Sequence, residues 1–254
     1  MEIKVLGTSG SDIPGSHLTS FLIDKFILLD AGGVTNSLKL SEQKKIKYIF
    51  ITHTHLDHIR DIPFLADNLI LSGRKSQITV FSIKEVIDDI KKHLLNHRLW
   101  PDFTVIPSER ESILKLEKIE EGKCIEINGF RITPLSVNHS VPAIGYLIQE
   151  GQKYVFYTGD TGPTKKTWKK LSNVLLDALI VETSFPDSMK QIAKTTGHFT
   201  PELLIRDISL LENPPKKIYI THIKPFYKKQ IKEDILKKFP FKVKILKGGE
   251  TLRI

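Results

Sequence analysis

The chain has 254 residues, of which 40% are hydrophobic and 26% are charged. These proportions are ordinary for a soluble globular protein and do not indicate disorder, so we expect a single domain spanning residues 1–254. The formal net charge of +9 favours a phosphate-bearing or polyanionic partner. Many lysines, however, lie in helix-like segments such as 165–170 and 224–238, where a solvated helix face is the simpler explanation.

The N-terminus and the cysteine content predict a cytoplasmic protein without a membrane partner. The opening MEIKVLGTSG predicts a short strand and a glycine turn, and it lacks the basic and apolar regions of a signal peptide. No apolar run approaches the roughly 20 residues that a membrane span needs. The single cysteine, Cys124, excludes an internal disulfide framework and a thiolate-rich zinc site.

Short apolar runs, most of them bounded by Gly, Pro, Asn or Asp, predict the β-strands. In chain order these runs are residues 3–6, 19–23, 26–29, 48–51, 77–81, 130–137, 145–149, 154–157, 178–181, 217–221 and 243–246. Helices interrupt the strand groups without a strict βαβ repeat. This order predicts two sheets with helices packed outside them.

The first clear helix signal follows the fifth run. Ser82, with Glu85 three residues later, has the pattern of a capping box and predicts a helix over residues 82–98. His93 and His97 lie four residues apart on this helix, a spacing that can bind metal. No further ligand is placed beside them, so we expect a partly buried or interface pair instead.

Two further helices are expected in the second half of the chain. The sequence TPE at residues 200–202 supplies an N-cap, a proline at the first helical position and an early acid, and predicts a helix over residues 201–211. A last helix is expected over residues 228–238. Between the first histidine motif and the later strands, we interpret the segment 61–112 as a lid or a dimerisation surface.

The stretch ITHTHLDHIRDIP, residues 51–63, places His53, His55, Asp57 and His58 directly after an apolar strand. Burying so many polar rings is costly unless a partner compensates. Neutral imidazoles and a carboxylate are the ligands that borderline divalent cations take. In a loop after a strand, His53 and His55 can point at one ion while Asp57 and His58 turn toward a second.

Further ligands are available at equivalent places along the chain. His139 follows a strand ending SVNHS, Asp160 follows YVFYTGD, and His222 follows IYITH. A lone residue at any of these places is more often a cap or turn residue. Because carboxyl ends of strands collect ligands in α/β folds, we expect the three to converge on one metal site.

HTHLDH, His139, TGDTG and YITH, with LLDAGG upstream, together resemble the metallo-β-lactamase-fold hydrolases over essentially the whole chain. The resemblance implies a four-layer αββα sandwich with two divalent metal ions in one cleft. It also implies the ligand sets: His53, His55 and His139 for the first ion, Asp57, His58 and His222 for the second, and Asp160 bridging both. Asp30, in LLDAGG, would support the ligands.

The motif departs from two branches of this superfamily. Antibiotic-degrading members usually have cysteine in the second site, and Cys124 matches no such position. Diiron oxidoreductases have an acid in place of the second histidine. Hydrolysis with zinc is therefore favoured over redox chemistry, although manganese or iron also suits imidazole and carboxylate ligands.

Two cations about 3.5–4 Å apart can hold a hydroxide between them and suit phosphate esters. Asp57 would lie at this reaction centre. The leaving alkoxide needs a proton, and Glu182 and His198, both near expected strand or helix ends, are candidates to deliver it. The following helix would disfavour a cationic His198 unless Glu182 compensates, and a purely structural capping role is the alternative.

The sequences ET at residues 182–183 and GHFT at residues 197–200 together resemble the phosphodiesterase branch of the superfamily. The stretches VNHSVPAIGYLI, YTGDTGPTKKTW and VETSFPD look most like class II 3′,5′-cyclic-nucleotide phosphodiesterases. This resemblance implies hydrolysis of cAMP or cGMP to 5′-nucleotides by the metal-bridged hydroxide. The tRNA 3′-processing endonucleases carry a long arm where this chain has room only for a short hairpin between His139 and Asp160.

Two alternative functions remain open, and the ligands alone do not distinguish a phosphodiesterase from a hydrolase of another ester such as a thioester. An RNA or tRNA endonuclease of the same fold would suit the basic charge and would bind RNA with a steep salt dependence. A non-catalytic nucleotide-sensing module would keep the fold without turnover, but it does not explain a complete ligand set. The sequence is also compatible with a homodimer.

Overall fold

The computed structural model describes residues 1–74 and 76–254. Within these ranges the strands form two seven-stranded sheets. The strands are β1 Glu2–Gly7, β2 Ser20–Ile23, β3 Ile27–Leu29, β4 Tyr48–Phe50, β5 Ile78–Ser82, β6 Leu114–Lys118, β7 Ile125–Ile127, β8 Phe130–Ser136, β9 Ile144–Glu150, β10 Lys153–Tyr157, β11 Ala178–Glu182, β12 Ile218–Thr221, β13 Val243–Ile245 and β14 Thr251–Arg253. Every apolar run predicted as a strand overlaps one of these elements.

Each sheet is half antiparallel and half parallel. The first has the order β14-β1-β2-β3-β4-β5-β6, and it is parallel from β3 to β6. The second has the order β13-β12-β11-β10-β9-β8-β7, and it is parallel from β10 to β13. The strands that precede the predicted ligands therefore end close to one edge of the sandwich.

Helices lie along the outer faces of the sheets. They are α1 Leu40–Gln43, α2 Leu56–Ile59, α3 Asp61–Leu71, α4 Lys84–Asp89, α5 Lys165–Leu171, α6 Lys190–Thr196, α7 Pro201–Ile208 and α8 Lys228–Lys238. The expected start of α7 is confirmed, because the Thr200 side chain accepts a hydrogen bond of 3.4 Å from Leu203 N. In the described part of the chain, no helix is both long and apolar enough to cross a membrane.

The capping box predicted at Ser82 is wrong. Ser82 is the last residue of β5, and its hydroxyl donates to Ile51 O at 2.7 Å instead of capping a helix. Ile83 takes the N-cap position of α4, and a π-helical turn over Ile90–Leu94 follows α4. The helical segment thus ends before residue 98.

His93 and His97 are not a buried pair. Both side chains are exposed, and His97 has a φ of +60°, beyond the end of the helical turn. The segment 61–112 also supplies core structure, since Ile62 and Leu65 of α3 and Val80 of β5 are fully buried.

Three apolar layers confirm the αββα sandwich. Between the sheets, side chains such as Phe21, Phe50 and Tyr146 pack together. A second cluster joins the first sheet to α3 and α4, and a third joins the second sheet to α5, α7 and α8. Since both faces of each sheet are covered, polar groups collect at the strand ends, where the candidate site lies.

Candidate metal centre

The structure brings all of the predicted metal ligands together at one edge of the sandwich. Within each of two groups of side chains, the donor atoms all lie within 4.8 Å of one another. One group consists of His53, His55, His139 and Asp160, and the other of Asp57, His58, His222 and Asp160. Because Asp160 belongs to both groups, the two candidate positions share one carboxylate.

The shared carboxylate is surrounded by ring nitrogens. Asp160 Oδ2 lies 3.2 Å from His222 Nε2 and 3.8 Å from His53 Nε2, and Asp160 Oδ1 lies 3.4 Å from His58 Nε2. In the second group, Asp57 Oδ2 lies 3.1 Å from His222 Nε2. These donors point at common positions rather than outward to solvent.

Two buried side-chain atoms without hydrogen-bond partners show whether this set of imidazole and carboxylate donors fits a cation. His58 Nε2 and Asp160 Oδ1 are both buried, and neither has a hydrogen-bond partner among the described residues. Buried polar atoms are almost always partnered, because leaving them bare is costly. A divalent cation accepts imidazole nitrogen and carboxylate oxygen, so the donor set fits a metal.

Electrostatics at the centre also favour a cation. Burial lowers the pKa of His53, His55 and His139, which favours the neutral rings that ligate metals. Burial acts to lower the pKa of His58 as well, yet the carboxylates of Asp160 and Asp30 raise it well above its usual range. The potential at this position is therefore strongly negative.

The two carboxylates are held in their ionised form. Burial acts to raise the pKa of Asp160, but the His222 and His58 rings lower it well below the usual range. Burial likewise opposes ionisation of Asp57, whereas the hydrogen bond from His222 lowers its pKa. Ionised carboxylates are the form that binds divalent cations.

Asp30 orients one ligand from beneath the site. Its fully buried carboxylate accepts hydrogen bonds from His58 Nδ1 at 2.8 Å, from Thr52 N at 2.8 Å and from Tyr157 Oη at 2.6 Å. With Nδ1 fixed in this way, His58 presents Nε2 to the metal position. Sequence reasoning anticipated Asp30 but missed Thr52 and Tyr157, whose only signal was their place at strand ends.

Glu182 and His198 form the predicted pair beside the centre. Glu182 Oε1 lies 2.7 Å from His198 Nδ1, and Thr161 N donates to the same oxygen at 3.1 Å. Burial acts to lower the pKa of His198, but the adjacent Glu182 carboxylate raises it. The compensation expected for a histidine that precedes a helix N-terminus is thus present.

Ser184 is a site residue that sequence reasoning missed. Its fully buried Oγ lies 3.0 Å from Glu182 Oε2, 3.2 Å from His198 Nδ1 and 2.9 Å from His222 Nδ1. It therefore contacts both the candidate acid pair and a candidate metal ligand. The available signal was its position two residues after Glu182, just beyond the end of β11.

The metal centre opens into a cleft of about 580 Å³. Asp57, Asp160, His198 and His222 line it, together with His55. At the mouth, two cationic side chains are held in place: Arg60 pairs with Asp12, and Lys224 Nζ donates to Gly10 O at 3.2 Å. The arrangement offers cations, a proton donor and counter-charges for an anionic ligand.

A model of the beta-lactamase superfamily domain matches residues 25–223 of this chain. The chain is similar to a probable 3′,5′-cyclic-nucleotide phosphodiesterase of Yersinia pestis, with 27% identity over 89% of this chain and 79% of the relative. It is also similar to ribonuclease Z of Bacillus subtilis, with 32% identity over 59% of this chain and 49% of the relative.

Among solved structures, unliganded yeast PDE1 superposes with a TM-score of 0.83 at 20% identity, covering 100% of this chain and 99% of that chain. Identity this low shows the fold alone. The family match, by contrast, spans most of the chain and includes every donor described above. The chain therefore belongs to the beta-lactamase superfamily, within the metallo-β-lactamase-fold hydrolases that include phosphodiesterases.

Proposed function

We propose that this protein is a dinuclear metal-dependent phosphodiesterase that hydrolyses a 3′,5′-cyclic nucleotide, cAMP or cGMP, to the 5′-nucleotide. The observation that carries the proposal is the sharing of Asp160 by two donor groups, beside the Glu182 and His198 pair. The names of two relatives add support, since both match at least 86% of the chain and are 3′,5′-cyclic-nucleotide phosphodiesterases, while a ribonuclease Z that matches 90% of it supports the second candidate below.

The donors divide between two metal positions. His53, His55 and His139 would hold one cation, Asp57, His58 and His222 the other, and Asp160 both. Zinc suits this mixture of imidazole and carboxylate, and manganese or iron are the other candidates. Bound cations supply Lewis-acid stabilisation of developing negative charge and lower the pKa of water.

The protein's own groups would manage the protons. Hydrolysis adds water to phosphorus and breaks one P–O ester bond, so the departing sugar oxygen must gain a proton. Because Glu182 holds His198 at Nδ1, the Nε2 atom is left to hold and deliver that proton. Asp57, which lines the cleft, would orient the attacking water. Arg60 and Lys224 at the mouth would offset the charge of the phosphate.

The shape of the cleft favours a small substrate over tRNA. Strands β9 and β10 are joined through a tight turn at residues 151–152, so the described chain has no arm between His139 and Asp160. Asp12 and Arg60, which both line the cleft, form an ion pair. A mononucleotide fits such a site without an extended RNA surface.

RNA cleavage is the second candidate, because the chain is also similar to ribonuclease Z and carries a net charge of +9. One assay separates the two functions: the protein with added zinc or manganese is tested against cAMP, cGMP, a 2′,3′-cyclic nucleotide and a tRNA precursor. We expect release of 5′-nucleotide from a 3′,5′-cyclic substrate. Cleavage of the precursor alone would overturn the proposal.

We also propose that the segment 61–112 forms a dimer surface and not a lid. Its helix α3 is anchored by buried side chains, whereas Phe64 and Leu99 are exposed and Trp100 packs on Phe64 with ring centroids 4.9 Å apart. Sedimentation of the wild type and of Phe64→Asp would test this assignment, with a monomeric wild type contradicting it.

The exposed thiol of Cys124 supports a reducing compartment such as the cytoplasm.

A further inference from the structure

A loop between β1 and β2 passes along the mouth of the metal cleft. Its residues 9–12 are called the strap, and all but the first of them line the cleft. The strap is fixed at its start, because Ser9 is bridged to Ile223. At Gly10 it lies against a candidate metal ligand, since a Cβ at this position would be only 2.6 Å from His222 Cε1. The strap therefore lies directly beside the candidate metal centre.

The strap supplies oxygen atoms to both cationic side chains at the cleft mouth. Lys224 Nζ donates to Gly10 O at 3.2 Å, and Arg60 forms an ion pair with Asp12. A guanidinium binds carboxylate and phosphate through the same planar fork of N–H groups. The Asp12 carboxylate therefore occupies a position on Arg60 that suits the phosphate of a ligand.

A second carboxylate holds Arg60 from the interior of the protein. Asp61 is 2% exposed, and its Oδ1 accepts a hydrogen bond of 3.3 Å from Arg60 Nε. Its Oδ2 accepts hydrogen bonds from Thr35 N at 2.7 Å and from Thr35 Oγ1 at 2.9 Å. Because a buried carboxylate is costly without a cationic partner, Asp61 keeps the guanidinium at the mouth whether or not Asp12 contacts it.

Asp12 is bound to Arg60 less firmly than Asp61 is. The Asp12 side chain is 62% exposed, and Arg60 is the only hydrogen-bond partner of its carboxylate among the described residues. Exposed ion pairs contribute little to stability, because water solvates both partners well. A phosphate that enters the cleft can therefore replace Asp12 on Arg60, whereas Asp61 stays in place.

We propose that Asp12 competes with the substrate phosphate for Arg60 and so sets the affinity of the metal cleft for phosphate-bearing ligands. Arg60 binds the phosphate, Asp61 positions Arg60, and Asp12 weakens binding by occupying the guanidinium. This inference rests on the proposed function, because it takes the ligand of the metal cleft to be a phosphate ester. It assigns opposite effects to two carboxylates that contact the same side chain.

The test measures binding of inorganic phosphate and of 5′-AMP to the zinc-loaded protein by titration calorimetry. Asp12→Asn is compared with Glu126→Gln, which removes the same charge from an exposed carboxylate paired with Arg131 at 3.0 Å, outside the cleft. We expect Asp12→Asn to bind both ligands about two- to fivefold more tightly, the range for loss of one exposed ion pair. The control is expected to bind like the wild type. Equal binding by the two variants, or weaker binding by Asp12→Asn, would overturn the proposal.

A second variant separates competition for Arg60 from a general effect of charge. Arg60→Gln keeps an N–H donor near Asp61 and is expected to weaken phosphate binding about tenfold, as for loss of a hydrogen bond to a charged group. Arg131→Gln is its matched control, and equal binding by these two variants would overturn the role of Arg60. Combined with Arg60→Gln, Asp12→Asn is expected to lose most of its effect. Tightening by the same factor with and without Arg60 would overturn the competition.

Hydrolysis of cAMP and cGMP is assayed on the same samples. Binding of phosphate and of 5′-AMP needs no turnover, so a protein that shows the expected binding but hydrolyses neither nucleotide would refute the proposed activity alone. A protein that hydrolyses them, but binds phosphate equally well as Asp12→Asn and as Glu126→Gln, would refute the role of Asp12 alone.

Discussion

Replacing Ser184 by alanine is expected to weaken metal binding while the fold is retained. His222 Nε2 faces the candidate metal position beside Asp57 and Asp160, and with Nε2 bound to a cation the proton of the neutral ring would lie on Nδ1. That proton is donated to Ser184 Oγ at 2.9 Å, and the single proton of the serine is then donated to Glu182 Oε2 at 3.0 Å. Alanine removes both bonds at once.

The size of the loss in metal affinity depends on whether His222 Nδ1 has another hydrogen-bond partner. Among the described residues, Ser184 Oγ is the only partner of His222 Nδ1, whereas Glu182 keeps its bonds from His198 and Thr161. Losing the partner of a ligating histidine typically costs about 10- to 100-fold in metal affinity. This range corresponds to about 1.4 to 2.8 kcal/mol.

Competition with a chelator of known affinity measures the metal dissociation constant of the variant. Thr183→Ala is the matched control, because the neighbouring hydroxyl is equally buried but donates to the main-chain oxygen of Glu182. We expect Thr183→Ala to change metal affinity by less than about threefold, well below the range for an outer partner of a ligand. If Ser184→Ala bound metal as tightly as this control, the proton assignment would be refuted.

Further substitutions test the candidate acid His198, the supporting carboxylate of Asp30 and the buried, lysine-paired carboxylate of Asp177. His198→Ala is expected to lower turnover by about 10²- to 10⁴-fold with unchanged metal content by elemental analysis, and loss of metal would make His198 a ligand. Asp30→Asn should lower the melting temperature and also lower metal affinity by about 10- to 100-fold, and unchanged affinity would contradict its orienting role. Burial opposes ionisation of Asp177, but hydrogen bonds led by that from Lys216 lower its pKa to about 2. Because that pKa is depressed below the unfolded value of about 3.9, Asp177 stabilises the fold above pH 4 and this stability is lost as the pH falls toward 2. Denaturant midpoints of Asp177→Asn and wild type should therefore differ at pH 6 and converge near pH 2, whereas a constant gap would contradict the ion pairing.

The elements that sequence predicts best are those with a local signal. Buried strands such as β4, β10 and β12 are continuous apolar runs, because both faces of each sheet are covered. The missed strands lack that signal: β6 is LKLEK, in which charged residues alternate with leucine, while β7 is IEI and β14 is TLR, which also contain charged residues. Their pairing is decided by neighbours and not by their own composition.

The candidate site likewise contains residues that the sequence alone identifies and residues that it does not. Metal ligation requires particular residue types, so His53, His55, Asp57 and His58 stand out as one motif. The supporting groups are ordinary residues whose partners are distant in sequence: Tyr157 reaches a carboxylate 127 positions away. Nothing local marks such a residue. Ser82 failed as a cap for a related reason, because a carbonyl of the adjacent strand bonds its hydroxyl.

One strand pairing places the ligand, the hydroxyl and the acid together. Strands β11 and β12 are parallel, with Glu182 opposite Thr221, so the residues that follow the two strands are also neighbours. These residues include His222 and Ser184. Because side chains alternate between the faces of a sheet, a shift of one residue in the pairing of β11 with β12 would turn the residues after one of these strands away from the cleft. The apolar partners within the two strands, which fix this register, therefore also determine the distance between the candidate metal ligand and the candidate proton donor.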